Sequence, residues 1–268
     1  MRHFFSRAQQ KTPLPRTPRG YCAYAVGDVH GRLDLLDLLL AKIELDVRQR
    51  RPQRSLLLFL GDIIDRGPAS CQAVERLRTY RHSLLQPIFL MGNHEEVLIR
   101  LLRGERGVLS NWLRFGGTEC LASYGVDAKQ LRGMPEQSAL DLIKLTIPET
   151  HQNFIAGFAD TLRFGDYLFV HAGVRPGIDL SMQRQSDLRW IRQPFLDDQT
   201  DHGFVVVHGH TISDAIVERS NRIGIDTGAY RTGTLSALGL QGADRWTLDT
   251  SAVPSTPGQL IDNGDFGG

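Results

Sequence analysis

Three short apolar runs, each followed by polar residues and then by a helical pattern, organise the first part of the chain. The runs cover residues 21–26, 56–60 and 87–91. Apolar positions then recur at helical spacing over residues 33–50, 68–80 and 97–102. This repeated strand, loop and helix predicts parallel strands, buried on both faces and joined by right-handed crossovers. The three polar loops are therefore expected at one edge of a sheet.

The rest of the chain predicts a helical insertion and then a second sheet. Residues 104–161 are helical in pattern, so we expect an insertion that either lies over the site or covers the edge of the sheet. Gly165 and Asp166 predict a hairpin turn between strands at 162–164 and 167–170. A strand at 204–207 follows. Four further segments predict antiparallel strands that complete the second sheet: 216–219, 222–225, 232–240 and 245–248.

Composition describes an ordinary globular chain with one main domain, at residues 21–250. Of its 268 residues, 41% are hydrophobic and 23% are charged, and the net charge of +1 gives no overall attraction for nucleic acid. Three cysteines without paired spacing favour a reducing compartment, so we expect a cytoplasmic protein with no nucleic-acid or membrane partner. Residues 1–20 are basic and broken by proline, and residues 251–268 are polar, so we expect disordered ends. The oligomeric state stays open.

Side chains able to bind a metal ion follow five of the predicted strands. They stand where each strand ends, and the ends of parallel strands are where open α/β sheets bind ligands. We place all five strand ends at one edge. Turn chemistry or a satisfied core histidine explains each residue taken alone, but the five together favour a metal site. The residues are Asp28 and His30, Asp62, Asn93, His171, and the pair His208 and His210.

The donor types indicate a pair of transition-metal ions. Carboxylate and amide oxygens mixed with imidazole nitrogens suit manganese, iron, cobalt, nickel or zinc better than magnesium or calcium. Asp62 stands directly at the end of its strand and carries two oxygens, so we expect it to bridge the two ions. Neither ion is saturated by protein groups, which leaves room for water and substrate. By donor count, one ion takes Asp28, His30 and Asp62, and the other takes Asp62, Asn93, His171 and His210.

Five motifs in this chain also carry a resemblance to a known family. They are GDVHG, GDIIDRG, GNHE, HAG and GHT. In this order they resemble the phosphoprotein phosphatase family of metallophosphoesterases, most closely its bacterial serine/threonine phosphatase branch, over about residues 21–248. The resemblance implies an α/β fold, the calcineurin-like α/β/β/α sandwich of two mixed sheets. It implies the same metal ligands and selects His210 over His208, which we expect to support the site or to pack behind it.

The resemblance further implies how a phosphate ester is cleaved. A hydroxide that bridges the two ions attacks phosphorus directly, without a phosphoenzyme, and His94 protonates the departing oxygen. Asp65 orients the imidazole of His94. Arg66, Asn93 and Arg192 hold the phosphate oxygens, although a surface ion pair explains Arg192 equally well.

The predicted function is a manganese-dependent protein phosphatase. We expect it to act on phosphoserine and phosphothreonine in proteins or peptides, with phosphotyrosine as a further substrate. Close relatives with the same metal site hydrolyse symmetrical dinucleoside tetraphosphates, but they typically lack the acidic residue that corresponds to Asp65. Its presence here favours phosphomonoesters. A non-catalytic phosphoprotein-binding module is a third interpretation, disfavoured because all expected ligands and His94 are present.

Overall fold

The computed structural model describes residues 14–251, which form two five-stranded β-sheets. The strands are β1 (Tyr21–Val26), β2 (Arg54–Phe59), β3 (Leu85–Phe89), β4 (Thr161–Phe164), β5 (Tyr167–Val170), β6 (Val205–His208), β7 (Val217–Glu218), β8 (Arg222–Gly224), β9 (Ser236–Gln241) and β10 (Asp244–Asp249). The first sheet has the order β10-β9-β1-β2-β3, and the second has the order β4-β5-β6-β8-β7. As predicted, β1, β2 and β3 are parallel, and β4 and β5 form an antiparallel hairpin.

Helices connect the parallel strands and make up most of the predicted insertion. They are α1 (Leu33–Arg50), α2 (Ser70–Arg78), α3 (Asn93–Leu102), α4 (Leu109–Trp112), α5 (Thr118–Ser123), α6 (Glu136–Thr146), α7 (Glu149–Ala156), α8 (Gln185–Trp190) and α9 (Ala229–Thr232). A wider, π-type turn over Leu113–Gly117 joins α4 to α5. Across residues 14–251, no helix has the length and apolar character needed to cross a lipid bilayer.

The two sheets pack face to face around a shared apolar core. In β1, Ala23 and Ala25 face the second sheet, whereas Cys22, Tyr24 and Val26 face the layer of helices on the other side. This two-residue alternation is the period of a β-strand, and it buries both faces of β1 completely. A third apolar cluster covers the outer face of the second sheet and includes Leu188 of α8. The result is the predicted sandwich of two mixed sheets between helices.

The prediction for the strands after residue 216 is wrong in two respects. Strands β9 and β10 belong to the first sheet, where β9 pairs antiparallel with β1. In the second sheet, β8 runs parallel to β6, and only β7 pairs antiparallel with β8. Alternating apolar residues indicate that a segment is a strand, but they do not specify its neighbour. The free edge of β1 is covered by β9, whose Leu238 and Leu240 fill the core between the sheets.

The start of the described chain also differs from the prediction of a disordered arm. The backbone N–H of Arg16 donates to the Asp166 carboxylate at 2.9 Å, and that of Thr17 donates to the carbonyl of Gly242 at 3.0 Å. Residues 14–20 therefore pack against the turns of both sheets. Residues 1–13 and 252–268, for which we predict disorder, lie outside the described residues.

Candidate metal centre and acid–base site

The predicted site residues converge where strands of both sheets end. Asp28 follows β1, Asp62 follows β2, and Asn93 begins α3 after β3, whereas His171 follows β5 and His210 follows β6. All five side chains are buried. The placement of five strand ends at the edge of a single sheet is therefore wrong, because the first three belong to one sheet and the last two to the other. Face-to-face packing brings the two edges together.

Asp62 lies between histidines that approach its two oxygens separately. Its Oδ2 is 3.6 Å from Nε2 of His30, and its Oδ1 is 3.4 Å from Nε2 of His171. The ligand atoms of Asp62, His171 and His210 lie within 4.8 Å of one another, as do those of Asp62, His30 and His94. Two donor groups thus share one carboxylate, each using a different oxygen for its histidine. This arrangement matches the expected bridging role of Asp62.

Hydrogen bonds turn the imidazoles so that a free nitrogen faces Asp62. Nδ1 of His30 donates to the carbonyl of Ile64 at 2.8 Å, and Nδ1 of His171 donates to the carbonyl of Leu60 at 2.7 Å. Because a carbonyl only accepts, each Nδ1 carries the proton and each Nε2 offers a lone pair. Backbone carbonyls commonly fix metal-binding histidines in this way.

Burial keeps these imidazoles in the neutral form that binds metal. It lowers the pKa of His30 to about 3 and moves the pKa of His171 and His210 below the usual value. Nε2 of His210 is buried and has no hydrogen-bond partner among the described residues. An unpaired buried nitrogen is costly in the protein alone and is satisfied when it coordinates a cation.

Asn93 gives a second indication that the donor set fits a cation. Its Oδ1 lies 3.0 Å from Nε2 of His171, which is an acceptor because Nδ1 carries the proton. Two acceptor atoms that face each other without a proton between them are stabilised by a shared positive ion. The residues present therefore fit the expected dinuclear centre, and the binding of metal itself stays a prediction.

The carboxylate of Asp28 lies beside these donors and is hydrogen-bonded to the backbone. It accepts a hydrogen bond from the N–H of His210, at 3.1 Å to Oδ1. Burial, together with the carboxylates of Asp226 and Asp62, raises the pKa of Asp28 well above its usual value. Asp28 stands outside the two close donor groups, so its role as a ligand of the first ion stays a prediction.

The turns that present the site have an unusual backbone. Six non-glycine residues of the described chain have a positive φ, and the five at the site are His30, Asp62, Asp65, Arg66 and His210. Non-glycine residues seldom adopt this conformation, and it persists where the surrounding structure enforces it. The site is thus preorganised by its backbone as well as by its side chains.

His94 forms an acid–base pair with Asp65 at the border of the candidate metal centre. Its Nδ1 lies 2.7 Å from Oδ2 of Asp65, and its Nε2 lies 3.8 Å from Oδ2 of Asp62. Nη2 of Arg66 is 3.1 Å from the same Nε2. Burial opposes the charged imidazole, but the carboxylates of Asp62 and Asp65 outweigh it and raise the pKa of His94. The raised pKa favours the protonated imidazole that a general acid needs.

An open cleft of about 840 Å³ gives access to these residues. Arg66 and Arg192 both line it, and Arg192 makes no ion pair within residues 14–251, which argues against a surface ion pair. Tyr230 also lines the cleft, with its ring 5.3 Å from that of His30 and 4.7 Å from the guanidinium of Arg66. The predicted insertion contributes residues between Glu105 and Phe115. It therefore borders the cleft, in agreement with a position over the site.

A sequence model of the calcineurin-like phosphoesterase family matches residues 23–232. The chain belongs to this family. The matched region contains every predicted ligand and both members of the acid–base pair, His94 and Asp65.

Two curated relatives of this phosphoesterase carry different activities in their names. Serine/threonine-protein phosphatase 2 of Escherichia coli (strain K12) is 29% identical, over 80% of this chain and 90% of its own length. The symmetrical bis(5'-nucleosyl)-tetraphosphatase of Methylococcus capsulatus is 28% identical, over 88% of this chain and 96% of its own length. Because the chain is almost equally similar to both relatives, their names do not decide between the two activities. The choice has to be argued from the residues of the site.

Comparison with solved structures supports the fold. A crystal structure described provisionally as a diadenosine tetraphosphatase has a TM-score of 0.58 and 19% identity, over 85% of this chain and 93% of that chain. At this level of identity the likeness concerns the fold alone.

His208 packs behind the site of this phosphoesterase. Its ring lies 5.1 Å from that of Phe195, and its Nδ1 lies 3.0 Å from the carbonyl of Gly209. Burial lowers its pKa to about 4. His208 belongs to neither donor group among the described residues, as we expect for a packing role.

The sequence interpretation missed three residues that support the site. Trp112 donates from Nε1 to Oδ2 of Asp65 at 3.0 Å, and Asp226 is buried next to Asp28. Glu95 accepts the backbone N–H groups of Asp62 and Ile63, each at 2.8 Å, and that of Gly92 at 3.2 Å. The final letter of GNHE was the signal for Glu95. No local pattern marks Trp112.

The hydrogen bonds of Glu95 predict that Glu95→Gln destabilises the protein. The amide replaces an acceptor oxygen by an NH₂ group that faces backbone N–H donors, so about 1–3 kcal/mol of the free energy of unfolding should be lost. For a chain of this size, that loss lowers Tm by several degrees. Thermal unfolding measures the effect, with Glu119→Gln on the exposed surface of α5 as control. Equal Tm values for the two variants would contradict the role given to Glu95.

Proposed function

We propose that this phosphoesterase is a metal-dependent phosphomonoesterase that removes phosphate from serine and threonine side chains of proteins or peptides. The observation that carries the proposal is the 2.7 Å contact between Nδ1 of His94 and the Asp65 carboxylate. Manganese is the metal that we expect in the pair, with iron, cobalt, nickel and zinc as alternatives.

The acid–base pair favours phosphomonoesters because of their leaving group. Cleavage breaks the bond between phosphorus and the serine or threonine oxygen, and a water oxygen forms the new bond to phosphorus. The departing alkoxide is strongly basic, so a proton delivered from Nε2 of His94 as the bond breaks lowers the barrier. Asp65 holds Nδ1 and stabilises the protonated ring. Cleavage of a dinucleoside tetraphosphate expels a nucleotide phosphate, which leaves readily without this proton.

The other side chains of the cleft serve the phosphate. Arg66 and Arg192 present guanidinium groups that match two phosphate oxygens each. When bound, the two cations supply Lewis-acid polarisation of the phosphate and lower the pKa of a water molecule. Asp62, His30, His171 and His210 are the residues that would hold them, together with Asp28 and Asn93.

Hydrolysis of symmetrical dinucleoside tetraphosphates is the second candidate, and the aromatic residues of the cleft favour it. Phe115 and Trp190 line the cleft and are 58% and 39% exposed, respectively. Exposed aromatic faces can stack on nucleobases. The relative from Methylococcus capsulatus carries this activity in its name.

A comparison of three substrates tests the proposal. p-Nitrophenyl phosphate, a phosphoserine peptide and diadenosine tetraphosphate are assayed side by side with added manganese. We expect the highest kcat/KM with the phosphoserine peptide. A preference for the dinucleotide would overturn the protein-phosphatase proposal, and turnover of none of the three would favour the non-catalytic binding module.

We also propose a cytoplasmic location, since all three cysteines are free thiols.

Asp65→Asn should lower kcat for the phosphoserine peptide about 10–100-fold, the usual scale for a residue that orients a functional group. The amide no longer stabilises the protonated imidazole of His94. Steady-state kinetics measure the change, with Asp166→Asn in the β4–β5 turn as control. An unchanged kcat would dismiss the orienting role.

A further inference from the structure

The last residue of α4 and the irregular turn that follows it contact the Asp65–Arg66 turn through two different groups. This segment, residues 112–117 with the sequence WLRFGG, is called the WLRFGG segment below. Its π-type turn includes two residues with non-helical angles, Phe115 and Gly116. Such irregular helical turns often occur at functional sites. The segment lies within the predicted insertion, and its Trp112 is 47 residues from Asp65 along the chain.

The first contact comes from the indole of Trp112. This side chain is 3% exposed, and its Nε1 donates to Oδ2 of Asp65 at 3.0 Å. The same oxygen lies 2.7 Å from Nδ1 of His94. The other oxygen, Oδ1, is buried and has no hydrogen-bond partner among residues 14–251. The indole and the imidazole therefore fix the carboxylate together.

The second contact comes from the backbone of Gly116. Its carbonyl accepts the N–H of Arg66 at 3.1 Å, and its own φ is +117°. A Cβ atom at Gly116 would stand 2.5 Å from the nitrogen of Arg66, so only glycine permits this approach. Glycine is needed next door as well, since a Cβ atom at Gly117 would stand 2.4 Å from Cδ2 of Trp112.

The turn held by these contacts has an uncommon backbone conformation. Asp65 has a φ of 71° and Arg66 has a φ of 66°. Consecutive non-glycine residues in the left-handed region require support from their surroundings. The WLRFGG segment supplies that support through one hydrogen bond to the side chain of Asp65 and another to the backbone of Arg66.

We infer that Trp112 is a positioning residue for protonation of the leaving group. It acts through Asp65, whose carboxylate it holds in line with Nδ1 of His94. The inference rests on the roles proposed above for His94 and Asp65. Through the hydrogen bond of Trp112 to Asp65, the insertion influences how efficiently His94 protonates the leaving group. This role is additional to its position at the border of the cleft.

A dependence on the leaving group separates this role from simple packing. An alkyl phosphate such as a phosphoserine peptide needs the proton, whereas p-nitrophenolate is a stable anion that leaves without it. Trp112→Phe removes the indole N–H and keeps an aromatic ring. We expect kcat for the peptide to fall about 10–100-fold, with KM unchanged and a much smaller loss for p-nitrophenyl phosphate.

A second variant displaces the indole instead of removing it. Gly117 has a φ of −66°, which alanine adopts readily, so Gly117→Ala perturbs chiefly the contact with the ring of Trp112. The same leaving-group pattern is expected. In a double-mutant cycle, Trp112→Phe should add little to Asp65→Asn, since both act on one hydrogen-bonded unit.

Trp246 provides a matched control. Its Nε1 donates to Oδ2 of Asp46 at 3.1 Å, so Trp246→Phe also removes an indole-to-carboxylate hydrogen bond, but on β10. We expect its ratio of peptide to p-nitrophenyl phosphate turnover to equal that of the wild type. Thermal unfolding and metal content of each variant identify any general loss of structure.

The outcomes distinguish this inference from the proposed function. If Asp65→Asn shows the leaving-group pattern and both Trp112→Phe and Gly117→Ala lack it, the positioning role of Trp112 is wrong. If kcat falls equally for both substrates in the Trp112→Phe and Gly117→Ala variants, the positioning role is likewise wrong and the indole serves packing alone. If Asp65→Asn itself lacks the pattern, the acid–base assignment fails and takes this inference with it.

Discussion

Asp62→Asn is expected to lower kcat/KM at least ~10³-fold and to reduce the bound metal below two ions per chain. Asp62 offers a different oxygen to each of the two histidine groups, at 3.6 Å from His30 and 3.4 Å from His171. The amide lacks the charge, and its nitrogen is a poor ligand. A bound metal pair contributes several kcal/mol to transition-state stabilisation, and about 4 kcal/mol corresponds to ~10³-fold in rate.

Metal analysis after dialysis, combined with kcat/KM for p-nitrophenyl phosphate, measures this effect. Asp37→Asn is a suitable control, because Asp37 lies on the exposed side of α1 and, within residues 14–251, pairs only with Arg76, at 2.8 Å. If the Asp62→Asn variant binds two ions per chain and keeps wild-type turnover, Asp62 is not a metal ligand.

His94→Asn is expected to reduce kcat for a phosphoserine peptide about 10²–10⁴-fold, the range for loss of a general acid. The metal content should stay at the wild-type value. This second expectation matters because the ring of His94 also lies close to His30 and Asp62, where it could serve as a ligand. The hydrogen bond of its Nδ1 to Asp65 favours the acid.

Turnover and metal content measured on one preparation decide between these two roles. The control is His82→Asn, at a histidine whose Nδ1 accepts the backbone N–H of Leu84 at 3.1 Å. Loss of an ion in His94→Asn would make His94 a ligand. Full metal content with a loss confined to alkyl phosphates would establish the acid.

The insertion contributes side chains to the cleft and a hydrogen bond to the candidate acid–base pair. It borders the cleft through residues such as Arg106 and Phe115, and it holds Asp65 through Trp112.

Most of the candidate metal centre could be predicted from the sequence because each predicted ligand stands next to a buried strand. His171 follows an apolar run directly, Asp62 follows one after Gly61, and His210 follows one after His208 and Gly209. Polar residues at such positions are conspicuous, and the helical and strand periods on either side fix where each strand ends. Glu95 was overlooked because an acidic residue in the first turn of a helix is ordinary.

The sequence by itself determined the strands, most helices and the set of candidate metal donors, because these depend on the spacing of nearby residues. Only the tertiary structure decided that β9 and β10 join the first sheet, that the donors come from two facing sheets, and that Trp112 reaches Asp65. These contacts join segments distant along the chain; Trp112 and Asp65 are 47 residues apart. Which distant surfaces meet is set by burying both faces of each sheet together, and no local pattern records that choice.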